Sequence, residues 1–130
     1  MGKLTHGSDL IEEVTAFCAE HQIRLGRIEA IGAVTQARVG FYDHHTREYL
    51  YITYDTPLEI LCLTGNISLK DGVPMVHAHV TLADENGHAM GGHLAAGTSV
   101  FACEFTIHEY IGPPLKRTYD DVTGLPLWGI

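Results

Sequence analysis

The sequence predicts an α+β fold in which a mostly antiparallel β-sheet packs against one main N-terminal helix. Two patterns lead to this prediction. Apolar residues follow helical spacing only near the amino terminus, and β-branched and aromatic runs separated by turn residues occupy the rest of the chain. With 130 residues, 45% of them hydrophobic, the chain is expected to form one compact domain over residues 1–130.

The helix is predicted over residues 8–22. Apolar side chains recur there at i, i+4, i+7 and i+8, which gives the helix one apolar face, and they belong to Leu10, Val14, Phe17 and Cys18. Either Ser8 or Asp9 can cap the first turn, because a short side-chain oxygen accepts hydrogen bonds from the free amide groups there.

Seven strands are predicted after the helix, at residues 27–31, 33–42, 48–54, 58–68, 75–83, 88–94 and 99–109. Turn residues such as Asp71-Gly72 and Asn86-Gly87 separate most of them. The tail from Gly112 onward is predicted to be irregular. Its apolar side chains are expected to pack against the rest of the chain, and they are Leu115, Leu125, Leu127 and Trp128.

The charge balance is acidic. The chain has 8 Lys and Arg residues and 16 Asp and Glu residues, so its formal charge is −8 with histidine neutral. Among the basic residues only Lys116 and Arg117 are adjacent, so the sequence contains no basic patch. This distribution argues against a surface that binds nucleic-acid phosphates directly.

The cysteines and the hydropathy pattern bear on the compartment. Cys18, Cys62 and Cys103 lie among apolar neighbours, form no CxxC pair and are expected to be reduced core residues. No apolar run has signal-peptide length at the amino terminus or the roughly 18 residues of a membrane helix anywhere. We therefore expect a soluble, cytoplasmic protein without membrane association.

Histidine placement gives the strongest functional signal, since nine histidines are many for one small domain. In the strand at 75–83, His77 and His79 share a face with Cα atoms roughly 6–7 Å apart, so both imidazoles can reach one ion. The alternative is that they line an ordinary solvated strand face. The other histidines are predicted to be surface or capping residues, namely His6, His21, His44, His45, His88 and His108.

A third ligand depends on the register of the hairpin at Asn86-Gly87. A two-residue loop would place His93 opposite Val80, on the wrong face of the sheet. A three-residue loop over 85–87, with Gly87 in a left-handed conformation, places His93 directly opposite His79. A bulge at Gly91-Gly92 would restore the same parity to the shorter loop. Either the three-residue loop or the bulge would place all three imidazoles on one face of the sheet.

Three neutral imidazoles make a set of nitrogen ligands suited to Zn²⁺ or a similar divalent ion, with a fourth coordination position open. If such a site catalyses a reaction, the simplest mechanism is activation of water by the ion as a Lewis acid. Glu59 interrupts an apolar run and is then a candidate general base, or a group that orients a ligand of the ion. The alternative is that Glu59 faces solvent at a sheet edge.

The tail carries a second polar group of residues. This group can bind an anion or simply hold the tail in place, and it consists of Arg117, Asp120, Asp121 and Thr123. We favour the structural role.

Several segments together resemble the plants and prokaryotes conserved (PPC) domain family. They occur in the family's order and cover nearly the whole chain, at residues 7–10, 32–34, 58–61, 65–68, 76–80, 91–94 and 117–125. The resemblance implies a compact antiparallel sheet on a helix, assembled as a homotrimer, with stand-alone prokaryotic members. It also implies a histidine metal motif at His77, His79 and His93. The family's opening strand is shortened here, since only residues 1–6 precede the helix.

Three functions follow from these observations. The first is a homotrimeric metal-binding domain, with zinc held by His77, His79 and His93. The second is a DNA-binding or regulatory protein, as the family's label implies, although this chain has no AT-hook and is acidic. The third is a small cupin-like metal enzyme that would recruit Asp84 as a ligand in place of His93.

Overall fold

The computed structural model describes residues 1–129, which form nine strands and one helix. The elements in chain order are β1 (Gly2–Lys3), α1 (Leu10–Glu20), β2 (Gly26–Asp43), β3 (Glu48–Tyr54), β4 (Leu58–Lys70), β5 (Val73–Ala83), β6 (Ala89–Leu94), β7 (Ser99–Glu109), β8 (Arg117–Asp120) and β9 (Leu125–Trp128).

Seven strands form one antiparallel sheet around β2, the longest strand. The spatial order is β1-β7-β2-β4-β5-β6, and β3 pairs with β2 outside this path. The first half of β2 pairs with β4 and β7, while its second half pairs with β3 and β6. Because β6 pairs with both β5 and β2, the sheet closes on itself through β2, β4, β5 and β6.

The core lies between the helix and the inner face of the sheet. The helix buries Leu10, Val14 and Cys18, which lie on one face as the spacing predicted. On β5, buried and more exposed residues alternate along most of the strand, so Val76, Ala78 and Val80 face the core. Cys18 and Cys103 are buried free thiols as predicted, and burial raises the pKa of each to about 11. Cys62 was also predicted to lie in the core, but it is exposed on β4.

The helix is shorter than predicted, so the fold is a mostly antiparallel sheet with one short helix. It spans 11 residues instead of the predicted 8–22, and Asp9 caps it by accepting a hydrogen bond from the Glu12 backbone amide. No helix within residues 1–129 has the length and apolar character needed to cross a membrane.

The predicted strands 27–31 and 33–42 form one continuous strand. Gly32, which separates the two predicted strands, lies at a bulge within β2, where the pairing to β4 shifts between Ala30 and Gly32. Its φ is 147°, and a Cβ atom there would lie 2.1 Å from the carbonyl oxygen of Ala102. Glycine therefore allows β2 to bend without ending.

The carboxyl-terminal tail differs from the prediction of an irregular segment, whereas the amino terminus has the shortened opening strand that was predicted. The two residues of β1 pair with β7 at the edge of the sheet, so a short opening strand is present. The tail is ordered as a hairpin of β8 and β9, with Arg117 opposite Trp128 and Asp120 opposite Leu125. We call residues 112–129 the C-terminal hairpin segment.

Candidate metal centre

The β5–β6 hairpin has the register that a shared histidine face requires. His79 lies directly opposite His93, and the ladder starts at Ala83 and Ala89. Gly87 has a φ of 78°, and its amide donates a hydrogen bond to the Asp84 carbonyl, which closes the predicted three-residue turn. The longer of the two loops considered from sequence is therefore confirmed.

The structure brings His77, His79 and His93 together. One ligand atom from each imidazole lies within 4.8 Å of the other two, on the face of the sheet opposite the core. Small side-chain rotations would bring all three nitrogens onto a single ion, for which zinc–nitrogen bonds of about 2.0–2.1 Å are usual. His77 and His93 are half-buried, and His79 is exposed.

The surroundings favour the neutral imidazole at His77 and His93. Burial, together with repulsion of a proton by the neighbouring His93, Arg117 and His79, lowers the pKa of His77 to about 4. Burial, together with His79, also lowers the pKa of His93. A neutral imidazole is the form that binds a metal ion, so His77 and His93 are suited to coordinate a cation.

One atom of the group lacks a hydrogen-bond partner. Nδ1 of His93 is buried and makes no hydrogen bond within residues 1–129. A buried ring nitrogen left in this way is costly, and coordination of an ion would satisfy it. This atom and the all-imidazole donor set both fit a divalent transition metal.

Tyr49 forms one wall of the site. This contribution of Tyr49 was not predicted from the sequence. Its ring lies 4.7 Å from the ring of His93, measured between centroids. Burial raises the pKa of Tyr49, with Tyr51 and Tyr42 adding to the effect. Tyr49 reaches His93 because Gly40 of β2 pairs with both Tyr51 and His93. No local pattern predicts this contact, because it depends on the closure of the sheet.

The opposite side of the site is formed by β4 and the C-terminal hairpin segment. Asn66 lies directly opposite His77 in the β4–β5 ladder, and its side-chain oxygen accepts a 2.6 Å hydrogen bond from Nη2 of Arg117. Next to His79, a depression of about 400 Å³ is lined in part by Gly91 and Gly92, which leaves the exposed imidazole accessible.

Glu59 and Asp84 lie outside the group of possible ligands. Glu59 is exposed and pairs with Ala83, four positions along β5 from His79, or about 13 Å at the usual strand rise. The Asp84 carboxylate accepts hydrogen bonds from the backbone amides of Asn86 and His88 and contacts the His88 ring. These bonds give Asp84 a role in shaping the turn.

The other predictions for polar residues agree with the structure. All six remaining histidines are exposed, and His21 caps the end of α1. Asp120 accepts hydrogen bonds from the amide and hydroxyl groups of Thr123 at the tip of the C-terminal hairpin. This contact holds the tail in place, as favoured from sequence.

Residues 1–111 of the chain match a protein-family model, that of the Plants and Prokaryotes Conserved (PCC) domain. The chain belongs to this family. The resemblance identified from the sequence, in which the same domain is abbreviated PPC, is therefore confirmed. The matched range contains all three histidines, whereas the C-terminal hairpin segment lies beyond it.

Solved structures of similar proteins share the fold over 98% of this chain. A metal-containing protein of Archaeoglobus fulgidus is 41% identical, with a TM-score of 0.93 and 90% of its own chain covered. A PPC protein of Pyrococcus horikoshii is 34% identical, with a TM-score of 0.93 and 88% of its chain covered. A candidate DNA-binding protein of Bacteroides thetaiotaomicron is 30% identical, with a TM-score of 0.91 and 88% of its chain covered.

Nearly the whole chain also matches part of a much longer protein. The Bifunctional protein GlmU of Synechococcus sp. (strain JA-3-3Ab) is 32% identical over 124 residues, which are 94% of this chain. The chain spans about one fifth of that relative's length, because the match covers 19% of it.

Proposed function

We propose that this PCC-domain chain is a metal-binding domain in which His77, His79 and His93 hold one divalent ion. The observation that carries the proposal is the convergence of three imidazoles within 4.8 Å on one face. The similarity to a metal-containing protein of Archaeoglobus fulgidus supports it. Zinc is the ion we propose, because neutral imidazoles and an open fourth position are typical of its sites.

The role that we propose for the site is metal binding, and we assign it no reaction. When bound, a zinc ion supplies Lewis acidity to a fourth ligand. The chain itself contributes three imidazole donors, the Tyr49 wall and the Arg117 charge. Glu59 would need to act over about 13 Å, so we assign it no proton-transfer role.

The decisive measurement is the metal content of tag-free protein by elemental analysis. We expect about one equivalent per chain in the wild type and loss of the metal in His77→Ala and His93→Ala, because two imidazoles rarely hold zinc alone. His108→Ala is the control, since His108 is exposed and lies outside the group. Absence of bound metal after incubation with Zn²⁺ would contradict the proposal.

The proposal includes assembly as a cytoplasmic homotrimer. Ile31 and Leu61 are large apolar residues with 59% and 53% of their surfaces exposed. Together with Cys62 they line one cavity of about 700 Å³. Apolar patches of this kind typically mark association surfaces, and a closed ring of copies would cover them. Three free cysteines are in keeping with a reducing compartment.

A second candidate function is DNA association, and only the names of related proteins favour it. Candidate DNA-binding proteins of Bacteroides thetaiotaomicron and Ralstonia eutropha share the fold at 30% and 29% identity. The charge of −8 works against direct contact with phosphates, so this function would need a partner that supplies a basic surface. Retarded migration of A·T-rich DNA at physiological salt would favour this second function.

A further inference from the structure

Arg117 brings a positive charge to the edge of the candidate metal site. Its guanidinium donates hydrogen bonds from Nε to the Ser68 hydroxyl, from Nη1 to the Pro126 carbonyl and from Nη2 to the Asn66 side chain. All three acceptors are neutral. The ring of Trp128 lies 5.7 Å from its central carbon, so the guanidinium is held between β4 and the C-terminal hairpin.

This charge lies one side chain away from a proposed metal ligand. Asn66, which accepts the Nη2 bond, is the direct partner of His77 across the β4–β5 ladder. Directly opposed residues of antiparallel strands project to the same face, with Cβ atoms about 4.5–5.5 Å apart. Arg117 therefore flanks the same face of the sheet as His77.

The guanidinium has no acidic partner within residues 1–129. The ion pairs formed by those residues are Arg27 with Glu29 and His88 with Asp84, and neither involves Arg117. A partly buried charge is costly unless an opposite charge accompanies it. Arg117 also has five N–H donors and uses three, which leaves two for another acceptor.

Metal binding would concentrate more positive charge at this position. A divalent ion keeps its full charge when its three ligands are neutral imidazoles. The ion and Arg117 would then form one cationic site, and no acidic residue belongs to the ligand group within the described chain. Such a site is complementary to a group that carries negative charge on two or more oxygens.

We propose that the metal site binds a small oxyanion, a carboxylate or phosphate group, between the ion and Arg117. This inference rests on the metal-binding function proposed above. One oxygen of the anion takes the fourth coordination position, and another accepts hydrogen bonds from the free N–H donors of Arg117. The C-terminal hairpin segment, which lies beyond the family match, thus completes the site.

The test uses full-length protein loaded with Co²⁺, whose visible absorption responds to a change of ligand. Inorganic phosphate and acetate are titrated separately, so the two arms distinguish a phosphate from a carboxylate ligand. We expect saturable binding of at least one of them. Arg117→Gln should weaken this binding about tenfold or more, because a charge-assisted hydrogen bond is lost. Arg117→Lys should retain part of the affinity, since it keeps the charge.

The matched control is Arg47→Gln. Arg47 also donates hydrogen bonds to the C-terminal hairpin, but to the backbone carbonyls of Asp121 and Val122. This variant removes the same charge and a similar tether, and we expect it to bind the anions like the wild type. A general loss of tail structure would weaken both glutamine variants equally and would contradict a specific role for Arg117.

Failure of this inference can be told apart from failure of the metal proposal. If about one equivalent of Co²⁺ binds per chain but neither anion alters its spectrum, the anion site is wrong and the metal site stands. The same conclusion follows if Arg117→Gln binds the anions as tightly as the wild type. If the wild type binds no Co²⁺, both proposals are wrong.

Discussion

Burial of the imidazole of His77 determines its charge. Removal from water is the largest cause that lowers its pKa from the ordinary value of 6.5 to about 4, and repulsion by the adjacent His93, Arg117 and His79 contributes to the same shift. The folded protein therefore holds His77 neutral at pH values where the unfolded chain would protonate it. This difference links the stability of the metal-free protein to pH.

The metal-free protein should lose stability as the pH falls from about 6.5 to about 4. In this window the unfolded chain binds a proton at His77 that the folded chain does not, so the free energy of unfolding decreases with decreasing pH. Above the window His77 is neutral in both states and contributes no pH dependence. Urea unfolding in the presence of a chelator, at about pH 7.5 and about pH 5, measures the change.

His77→Gln provides the comparison, because glutamine does not titrate. We expect its free energy of unfolding to fall less than that of the wild type over the same interval. Carboxylates with lowered pKa values, such as Asp43 and Asp120, affect both proteins alike and cancel in the difference. Parallel pH profiles for the two proteins would contradict the assignment of a depressed pKa to His77.

At the level of elements, the β5–β6 hairpin was the part of the site that the sequence could predict. Asn86-Gly87 indicated a turn, and for a three-residue loop or a bulged shorter loop strand parity placed His93 on the same face as His79. The structure has that register. Local sequence is sufficient here because a hairpin is a short-range structure, closed within a few residues.

The C-terminal hairpin could not be predicted in the same way. Pro113 and Pro114 precede it, and its two strands have only four residues each. Arg117 anchors it through Asn66 and Ser68, which lie 51 and 49 positions earlier in the chain. Long-range contacts of this kind leave no periodic pattern in the sequence, so the tail was expected to be irregular.

Close packing of β6 against β5 leads to a prediction at Gly91. A Cβ atom at this position would lie 2.1 Å from the carbonyl oxygen of Val80, so β6 would have to move away from β5. Gly91→Ala should reduce stability by roughly 1–3 kcal/mol, as overpacking usually does. It should also weaken metal binding, because β6 carries His93. Urea unfolding and Zn²⁺ titration measure the two effects.

Gly112→Ala is the matched control for that variant. The nearest atom to its added Cβ would be Cδ2 of Leu25 at 4.0 Å, an ordinary contact distance. We expect stability and metal affinity close to those of the wild type. Equal losses in the two variants would show that the contact between Gly91 and Val80 is not what positions His93.

At the scale of the whole molecule, closure of the sheet joins residues that are distant in the chain. The pairing of Gly40 with His93 brings β2 beside β6, and β3 then places Tyr49 on the His93 ring. The fold class and the three histidines were predictable from periodicity and spacing. The walls formed by Tyr49 and Arg117 were not predictable from sequence. Tyr49 is placed by closure of the sheet, and Arg117 is placed by the contact of the C-terminal hairpin with β4.

The same closed sheet leaves an apolar surface around Ile31 and Leu61, where the proposed trimer can be tested. Light scattering should give the wild type a mass of about 43 kDa, three times the chain mass of 14.3 kDa. Leu61→Glu should shift the mass toward the monomer, because a buried, unpaired carboxylate disfavours the interface. Its circular dichroism should remain that of a folded chain, since Leu61 is 53% exposed within one subunit.

Val122→Glu is the control for this charge introduction, because Val122 is 81% exposed and lies in the C-terminal hairpin segment. It adds the same charge outside the apolar surface and should leave the mass at about 43 kDa. All three histidines belong to one chain, so the Leu61→Glu monomer should still bind about one metal ion. A wild-type mass of 14.3 kDa, or an unchanged mass in Leu61→Glu, would show that this surface does not hold a trimer together.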